Sequence, residues 1–146
     1  MASSSSIETL ITIATVDTDN AAKRLGNEIR YSEEQENKLV QLQQYRDDYA
    51  QRFQERLASG LNASGYRNFQ LFLEKLDLAM VRQRQIIAEA ARRVEQARQL
   101  WQQCERRRKS YGTLETRARQ EEHRKELRRD QKSTDEHATR QAFYKR

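Results

Sequence analysis

Residues 73–111 read LEKLDLAMVRQRQIIAEAARRVEQARQLWQQCERRRKSY, and this stretch decides the fold of the chain. Apolar and small residues recur in it at alternating spacings of three and four, the period of a coiled-coil helix. Gln83 and Arg108 are polar exceptions, which cost stability but help to fix the register. The predicted seam of this second helix consists of Leu73, Leu76, Met80, Gln83, Ile87, Ala90, Val94, Ala97, Trp101, Cys104, Arg108 and Tyr111.

A second stripe with similar spacing precedes this one and predicts a first helix over about residues 6–58. Ser5 and Glu8 fit a capping box, in which the hydroxyl and the carboxylate satisfy reciprocal backbone N–H groups at a helix start. The seam of the first helix is predicted to be Ile7, Leu10, Ala14, Ala21, Leu25, Ile29, Leu39, Leu42, Tyr45, Tyr49 and Phe53.

The only clear break between the stripes is ASGLNASG at residues 58–65, which concentrates two glycines and three capping residues. We therefore predict an all-α fold: a single domain, residues 1–146, folded as a long two-helix antiparallel coiled-coil hairpin with a tip loop at about 58–65. The second helix opens after Asn62 or Ser64. It should be paired over about 66–116 and overhang as an unpaired basic tail over 117–146.

An antiparallel hairpin makes the residue numbers of facing pairs add up to a constant. Leu42 with Met80, and Leu39 with Gln83, both give 122. Large side chains then repeatedly oppose small ones, which favours a hairpin over a parallel dimer. Arg46 would face Leu76 in this register, so we expect Tyr45 to turn inward instead.

The composition favours a narrow apolar seam between helices and argues against a globular core, because 34% of the 146 residues are charged, proline is absent and mean hydropathy is −1.12. No apolar run approaches the roughly 20 residues that span a bilayer, and Met1–Ser6 carries no signal region. The sequence predicts a cytoplasmic protein.

The net charge of +6 is unevenly distributed. Residues 1–104 carry 14 basic and 14 acidic side chains, whereas residues 105–146 carry 14 and 8. A basic tail on a neutral body indicates an acidic partner surface. The run Arg106–Lys109 fits a solvated helix face, a protein-docking surface or, as the weakest of the three, phosphate contacts.

No constellation of catalytic residues is apparent. His123 and His137 have no plausible nucleophile beside them, and neither a phosphate-cradling loop nor an EF-hand pattern is present. Cys104, the single cysteine, is expected in the seam. We predict no enzymatic activity, no cofactor and no bound metal.

Aromatic and aliphatic residues are concentrated near the predicted tip. A two-helix seam buries only part of each side chain, so these residues form either core or one partner-binding patch across both helices. They are Leu42, Tyr45 and Tyr49 on the first helix and Phe72, Leu76 and Ala79 on the second.

The chain resembles the flagellar export protein FliJ family over nearly its whole length. The resemblance rests on the order and spacing of Ile7-Glu8-Thr9-Leu10, Asp19, Ala21-Ala22, Leu25-Gly26, Leu39, Leu42, Tyr45, Tyr49, Tyr66, Asn68, Phe72, Leu76, Asp130-Gln131-Lys132, Asp135-Glu136, Ala138 and Arg140. It implies a stalk-like coiled coil of the flagellar type III export apparatus, peripheral at the cytoplasmic face of the inner membrane at the flagellar base.

The resemblance also implies partners: the hexameric flagellar export ATPase, the cytoplasmic domain of the membrane export gate protein, and the flagellar export chaperones that the protein would escort. We expect a monomer that binds no nucleic acid. The competing hypotheses are a nucleic-acid-associated coiled coil that uses the basic tail, and a purely structural tether.

Two residue sets follow from the resemblance. The export-gate set is Leu42, Tyr45, Tyr49, Phe72, Leu76 and Ala79, with Gln83 at its edge. The ATPase set is Arg128, Arg129, Asp130, Lys132, Asp135 and Arg140.

Overall fold

A computed structural model describes residues 4–145 of the chain. Two α-helices account for nearly all of them: α1 spans Ser4–Ser59 and α2 spans Ala63–Tyr144, and no strand occurs between residues 4 and 145. The two helices pack against each other, which confirms the predicted all-α helical hairpin. The chain divides into two compact units, Asn20–Trp101 and a terminal unit that combines residues 4–19 with residues 102–145.

The start of α1 differs from the predicted capping box. Ser4 and Ser5 already lie in the helix, so the expectation that Ser5 caps it is wrong. The first turns are rich in hydroxyl side chains that bond back to their own helix. Thr9 Oγ1, for example, donates to the carbonyl of Ser5 at 3.0 Å. Such bonds satisfy the hydroxyls without ending the helix.

The turn between the helices is short, since only residues 60–62 lie outside them. Gly60 follows the last residue of α1 with φ of 95°, a left-handed conformation that side chains with a Cβ rarely adopt. Asn62 then caps α2, because its Oδ1 accepts the backbone N–H of Gly65 at 2.7 Å. The loop is shorter than the predicted 58–65, since Ala58 and Ser59 stay helical and α2 starts directly after its cap.

The predicted seam of α2 is found as expected, because every one of its positions is buried or half-buried. In the Asn20–Trp101 unit the small residues are the most enclosed: Ala90 is 0% exposed and Ala97 is 3% exposed. Leu76 and Met80 are also buried. Alanine at these positions lets the two backbones approach closely, and larger side chains fill the layers between them.

A buried pair of glutamines crosses the seam in this unit. Gln83 Nε2 donates to both the backbone carbonyl and the side-chain Oε1 of Gln35, at 2.9 and 3.0 Å. Gln83 is the predicted polar exception, but its partner lies one turn before the predicted Leu39. The long Gln83 side chain thus reaches along the seam to a polar group one turn away from Leu39, because a buried amide needs a hydrogen-bond partner.

Tyr45 does not turn inward, contrary to the prediction. Its side chain is 53% exposed, whereas Arg46 is half-buried and donates a hydrogen bond from Nε to Asp77 at 2.5 Å. The long aliphatic stem of an arginine can line a seam while its guanidinium reaches the surface. Arg46 therefore fills the place for which Tyr45 was expected.

A second charged link joins the helices in the same unit. Arg93 Nε lies 3.0 Å from a carboxylate oxygen of Glu28, whose side chain is only 13% exposed. The guanidinium of Arg93 also lies over the ring of Tyr31, 5.0 Å from its centroid. A cation placed between a carboxylate and an aromatic face is stabilised by both.

In the terminal unit, the buried residues of α1 are Ile7, Ala14 and Thr18. Thr18 was not predicted, and its hydroxyl is satisfied by the carbonyl of Ala14 at 2.7 Å. Leu10, a predicted seam residue, is instead 38% exposed. On α2 the last half-buried residue is Glu121, and every residue from 122 to 145 is exposed.

Across residues 4–145, neither helix contains a stretch apolar and long enough to cross a lipid bilayer.

Two glycine substitutions should change stability in opposite directions. Gly60→Ala should lower the free energy of unfolding by about 1 kcal/mol, because alanine is strained at positive φ. Gly112→Ala should raise it by about 1 kcal/mol, because Gly112 lies inside α2 and a Cβ there meets nothing within 4 Å. Urea unfolding followed by circular dichroism measures both changes. A lower free energy of unfolding for Gly112→Ala, or a higher one for Gly60→Ala, would contradict these roles of the two glycines.

Candidate functional site

An aromatic ladder lies on the Asn20–Trp101 unit, beside the turn. It comprises Tyr45, Tyr49 and Phe53 of α1 with Tyr66, Phe69 and Phe72 of α2. Rings of the two helices alternate along it: Tyr49 lies 4.4 Å from Phe72 and 5.0 Å from Phe69 between ring centroids. Phe53 lies 5.3 Å from both Phe69 and Tyr66. These distances are typical of favourable aromatic pairs.

Helical spacing explains why the ladder forms. Tyr45, Tyr49 and Phe53 recur every four residues on α1, and the α2 rings recur every three, so each set lies on one side of its helix. The sequence pattern indicated Phe72, but not Phe69 or Tyr66, as a ring near those of α1. The spacing of Tyr66, Phe69 and Phe72 was the available signal.

The residues of the export-gate set differ in how much of each is exposed to solvent. Tyr45 is the most accessible member, and its ring contacts Phe72 edge-on at 6.1 Å between centroids. Tyr49 and Phe72 are half-buried within the ladder, and Leu42 and Ala79 are half-buried beside it. Leu76 and Gln83, each 8% exposed, lie in the seam. The structure therefore brings the set to one region, where some members present a surface and others support it.

The ion pair of Arg46 and Asp77 adds charge to the same unit. The hydrogen bond to Asp77, followed by the attraction of its carboxylate, raises the pKa of the Arg46 guanidinium. Because the folded pKa of Arg46 lies above the unfolded one, the stabilisation that depends on its positive charge is lost only as the pH rises into the strongly alkaline range. The arginine remains cationic under physiological conditions.

Further apolar side chains of the unit are exposed and take no part in the seam. Leu71 and Leu78 are 48% and 51% exposed, and Val81 is 47% exposed. They follow one another on α2 at spacings of seven and three, so they share a side of the helix. They lie outside the predicted seam and outside the predicted tip patch.

The second candidate surface is the C-terminal segment, residues 122–145, which belongs to the terminal unit. All of its side chains are exposed. It contains the whole ATPase set, Arg128, Arg129, Asp130, Lys132, Asp135 and Arg140, and none of these side chains forms an ion pair within residues 4–145. The segment ends in two strongly exposed rings, Phe143 and Tyr144, at 77% and 85%.

Members of the ATPase set share only part of the helix surface. Arg128, Lys132 and Asp135 are spaced by four and three, so they lie on one side, and Arg140 lines the same shallow surface. Arg129 and Asp130 point elsewhere around the helix. An unpartnered helix with mixed free charges can form many ion pairs with a partner, but it has no enclosed cavity for a small molecule.

No chemical site is found in the part of the chain that the structure describes. No group of three or more His, Cys, Asp or Glu residues there could hold a metal ion. His123 and His137 are exposed on the C-terminal portion of α2, and Cys104 is a half-buried free thiol. The two candidate surfaces are both suited to contact other proteins.

Comparison with known proteins agrees with this geometry. The family model described as "Flagellar FliJ protein" matches residues 3–146. The flagellar FliJ protein of Salmonella typhi is 29% identical over 145 residues, and that of Escherichia coli (strain K12) is 28% identical over 145 residues; each alignment covers 99% of both chains. The resemblance read from the sequence is thereby confirmed. The chain belongs to the flagellar FliJ protein family, and membership implies a component of the flagellar export apparatus.

Proposed function

We propose that this protein is a stalk-like coupling factor of flagellar export, which binds the export ATPase through its C-terminal segment and the export gate through its aromatic ladder. The observation that carries the proposal is the presence of two unlike surfaces in two separate units. One surface is aromatic and half-buried, and the other is a charged helix with every side chain exposed. Two such surfaces can serve two partners without competing for the same residues.

The ladder is suited to the gate because its rings are held in place yet remain partly accessible. Tyrosine and phenylalanine dominate binding hot spots, where a rigid ring offers a large contact area at low entropic cost. Ring contacts with Phe72 fix Tyr45 and Tyr49, and Tyr45 keeps 53% of its surface exposed. A purely structural tether would gain nothing from such an exposed ring.

The C-terminal segment is suited to the ATPase because its exposed side chains can bind a partner without disturbing the seam. The six residues of the ATPase set have no ion-pair partner among residues 4–145, and the terminal rings add apolar surface. A lone helix of this length is only marginally stable in water, so a partner can order it. Complementary charge on the partner would also steer association, with a rate that falls as salt increases.

The remaining parts of the proposal concern the setting of these contacts. The protein acts as a monomer, escorts export chaperones, and works peripherally at the cytoplasmic face of the inner membrane, at the flagellar base. Family membership supports a place in the export apparatus, and the free surfaces described above leave room for more than one partner.

Substitutions in the ladder should separate binding from folding. Tyr45→Ala should weaken binding to the gate's cytoplasmic domain about tenfold or more and hardly change the thermal melt, because the ring is half exposed. Tyr49→Ala should lower the free energy of unfolding by about 2–3 kcal/mol, because this ring contacts both Phe69 and Phe72. Calorimetric titration and circular dichroism melts give the two readouts.

Tyr144→Ala is the matched control, since it removes an exposed tyrosine outside the ladder and should leave gate binding unchanged. If Tyr45→Ala binds the gate with unchanged affinity, the ladder is core alone and the assignment fails.

Deletion of residues 122–146 should abolish capture of the export ATPase while leaving the thermal melt nearly unchanged. The deleted side chains from 122 to 145 are all exposed, so little buried apolar surface is lost. Pull-down at low and high salt, with Tyr45→Ala as a control that retains ATPase binding, measures the effect. Full-affinity capture by the truncated chain would show that the ATPase contact lies elsewhere.

A further inference from the structure

A third surface lies on α2 before the C-terminal segment and is not used in the proposed function. We call it the basic face: Arg106, Arg107 and Arg117 around Leu114, with Lys109 at its edge. All four cations are exposed, and Leu114 is 48% exposed. The whole face lies within the terminal unit.

The acidic side chains nearby do not neutralise this face. Glu105 is paired with Arg108 and Glu115 is paired with Arg119, both within α2. These two carboxylates are only 20% and 25% exposed. The cations of the basic face, by contrast, have no ion-pair partner anywhere between residues 4 and 145. The segment therefore presents unneutralised positive charge to solvent.

The hydroxyl groups on this face are also engaged. Ser110 Oγ donates to the carbonyl of Arg106 at 2.9 Å, and Thr113 Oγ1 donates to the carbonyl of Lys109 at 3.1 Å. What remains available is a set of cationic donors around a half-exposed aliphatic side chain. Such a surface is suited to an extended anion with some apolar character.

Helical geometry places Arg106 and Arg117 in one row along the helix. Arg106 and Arg117 are eleven residues, or about three turns, apart, so they lie on one side of the helix about 16 Å from each other. Arg107 and Leu114 are two turns apart beside that row. Cations and an apolar side chain that share one side of a helix can contact a flat anionic surface together.

From this arrangement we infer that the basic face binds the anionic headgroups of a lipid bilayer. Cationic side chains near a negatively charged leaflet each contribute roughly a fivefold factor in affinity. Leu114 can enter the headgroup region, whereas against a phosphate backbone its apolar surface would gain no comparable contact. The face also lacks any aromatic ring on which a nucleic-acid base could stack. The inference is independent of the ATPase contact, since it uses none of the residues assigned there.

Vesicle binding by the full chain tests the inference. Sedimentation with vesicles of phosphatidylcholine mixed with phosphatidylglycerol should capture the protein, and vesicles of phosphatidylcholine alone should not. Replacing Arg106, Arg107 and Arg117 with glutamine should weaken binding on the order of 100-fold, from three cations at about fivefold each. Leu114→Ser should weaken it further in the same background.

The matched control replaces three other exposed arginines, Arg24, Arg52 and Arg82, with glutamine, which changes net charge equally. These three also have no ion-pair partner among the described residues. The control variant should retain vesicle affinity within about threefold, since the contact needs cations beside one another. Circular dichroism should show both variants equally helical.

Three results would overturn the inference. The first is an equal loss of vesicle affinity in the two triple variants, and the second is equal binding of the protein to neutral and anionic vesicles. The third is binding to random duplex DNA that is at least as tight as binding to anionic vesicles and is lost when Arg106, Arg107 and Arg117 are replaced with glutamine. The variant with glutamine at positions 106, 107 and 117 should still capture the export ATPase as the unmodified protein does. This readout separates failure of the lipid contact from failure of the proposed function.

Discussion

Two helices alone can form only one seam, and this constraint governs the rest of the structure. No large side chain between residues 4 and 145 is fully buried. The most enclosed positions belong to alanines such as Ala14, Ala90 and Ala97, which allow close approach of the backbones. Any larger residue at the seam keeps part of its surface in water. The rings of the aromatic ladder therefore stabilise the hairpin and remain available to a partner at the same time.

Polar groups within the seam specify which residues of the two helices face each other, which a narrow strip of apolar contacts does not. Gln83 reaches both acceptors of Gln35, so a slip of register would leave buried amides without partners, at a cost of about 1–3 kcal/mol. Glu28 and Arg93 form a second fixed point, reinforced by the ring of Tyr31. These links define which residues face each other where apolar contacts alone would tolerate several registers.

The sequence predicted the seam of α2 well, because apolar residues at alternating spacings of three and four lie on one side of a helix. It predicted α1 less well, since Thr18 and Gln35 are polar and do not stand out in an apolar stripe. The prediction that Tyr45 turns into the seam was wrong because an apolar pattern does not count arginine as a seam residue. The aliphatic stem of Arg46 can line the seam in place of the tyrosine ring.

Function was accessible from the sequence only through family resemblance. Spacing indicated an aromatic patch and a basic tail, but it carried no information on which proteins bind them. The structure adds the physical distinction between supporting and presenting residues: Leu76 and Gln83 hold the seam, and Tyr45 faces solvent. In the same way it separates the half-buried part of α2, which ends at Glu121, from the exposed segment that follows.

Hydrogen–deuterium exchange along α2, with and without the export ATPase, tests the central claim most directly. In the free protein, amide protection should be high where seam residues recur and should fall from about Glu122 onward, because an unpartnered helix opens readily. Addition of the ATPase should slow exchange in residues 122–145 and leave the region of Phe72 unchanged. Uniform protection from Ala63 to Tyr144 in the free chain, or ATPase-dependent protection confined to residues before Glu122, would contradict the account.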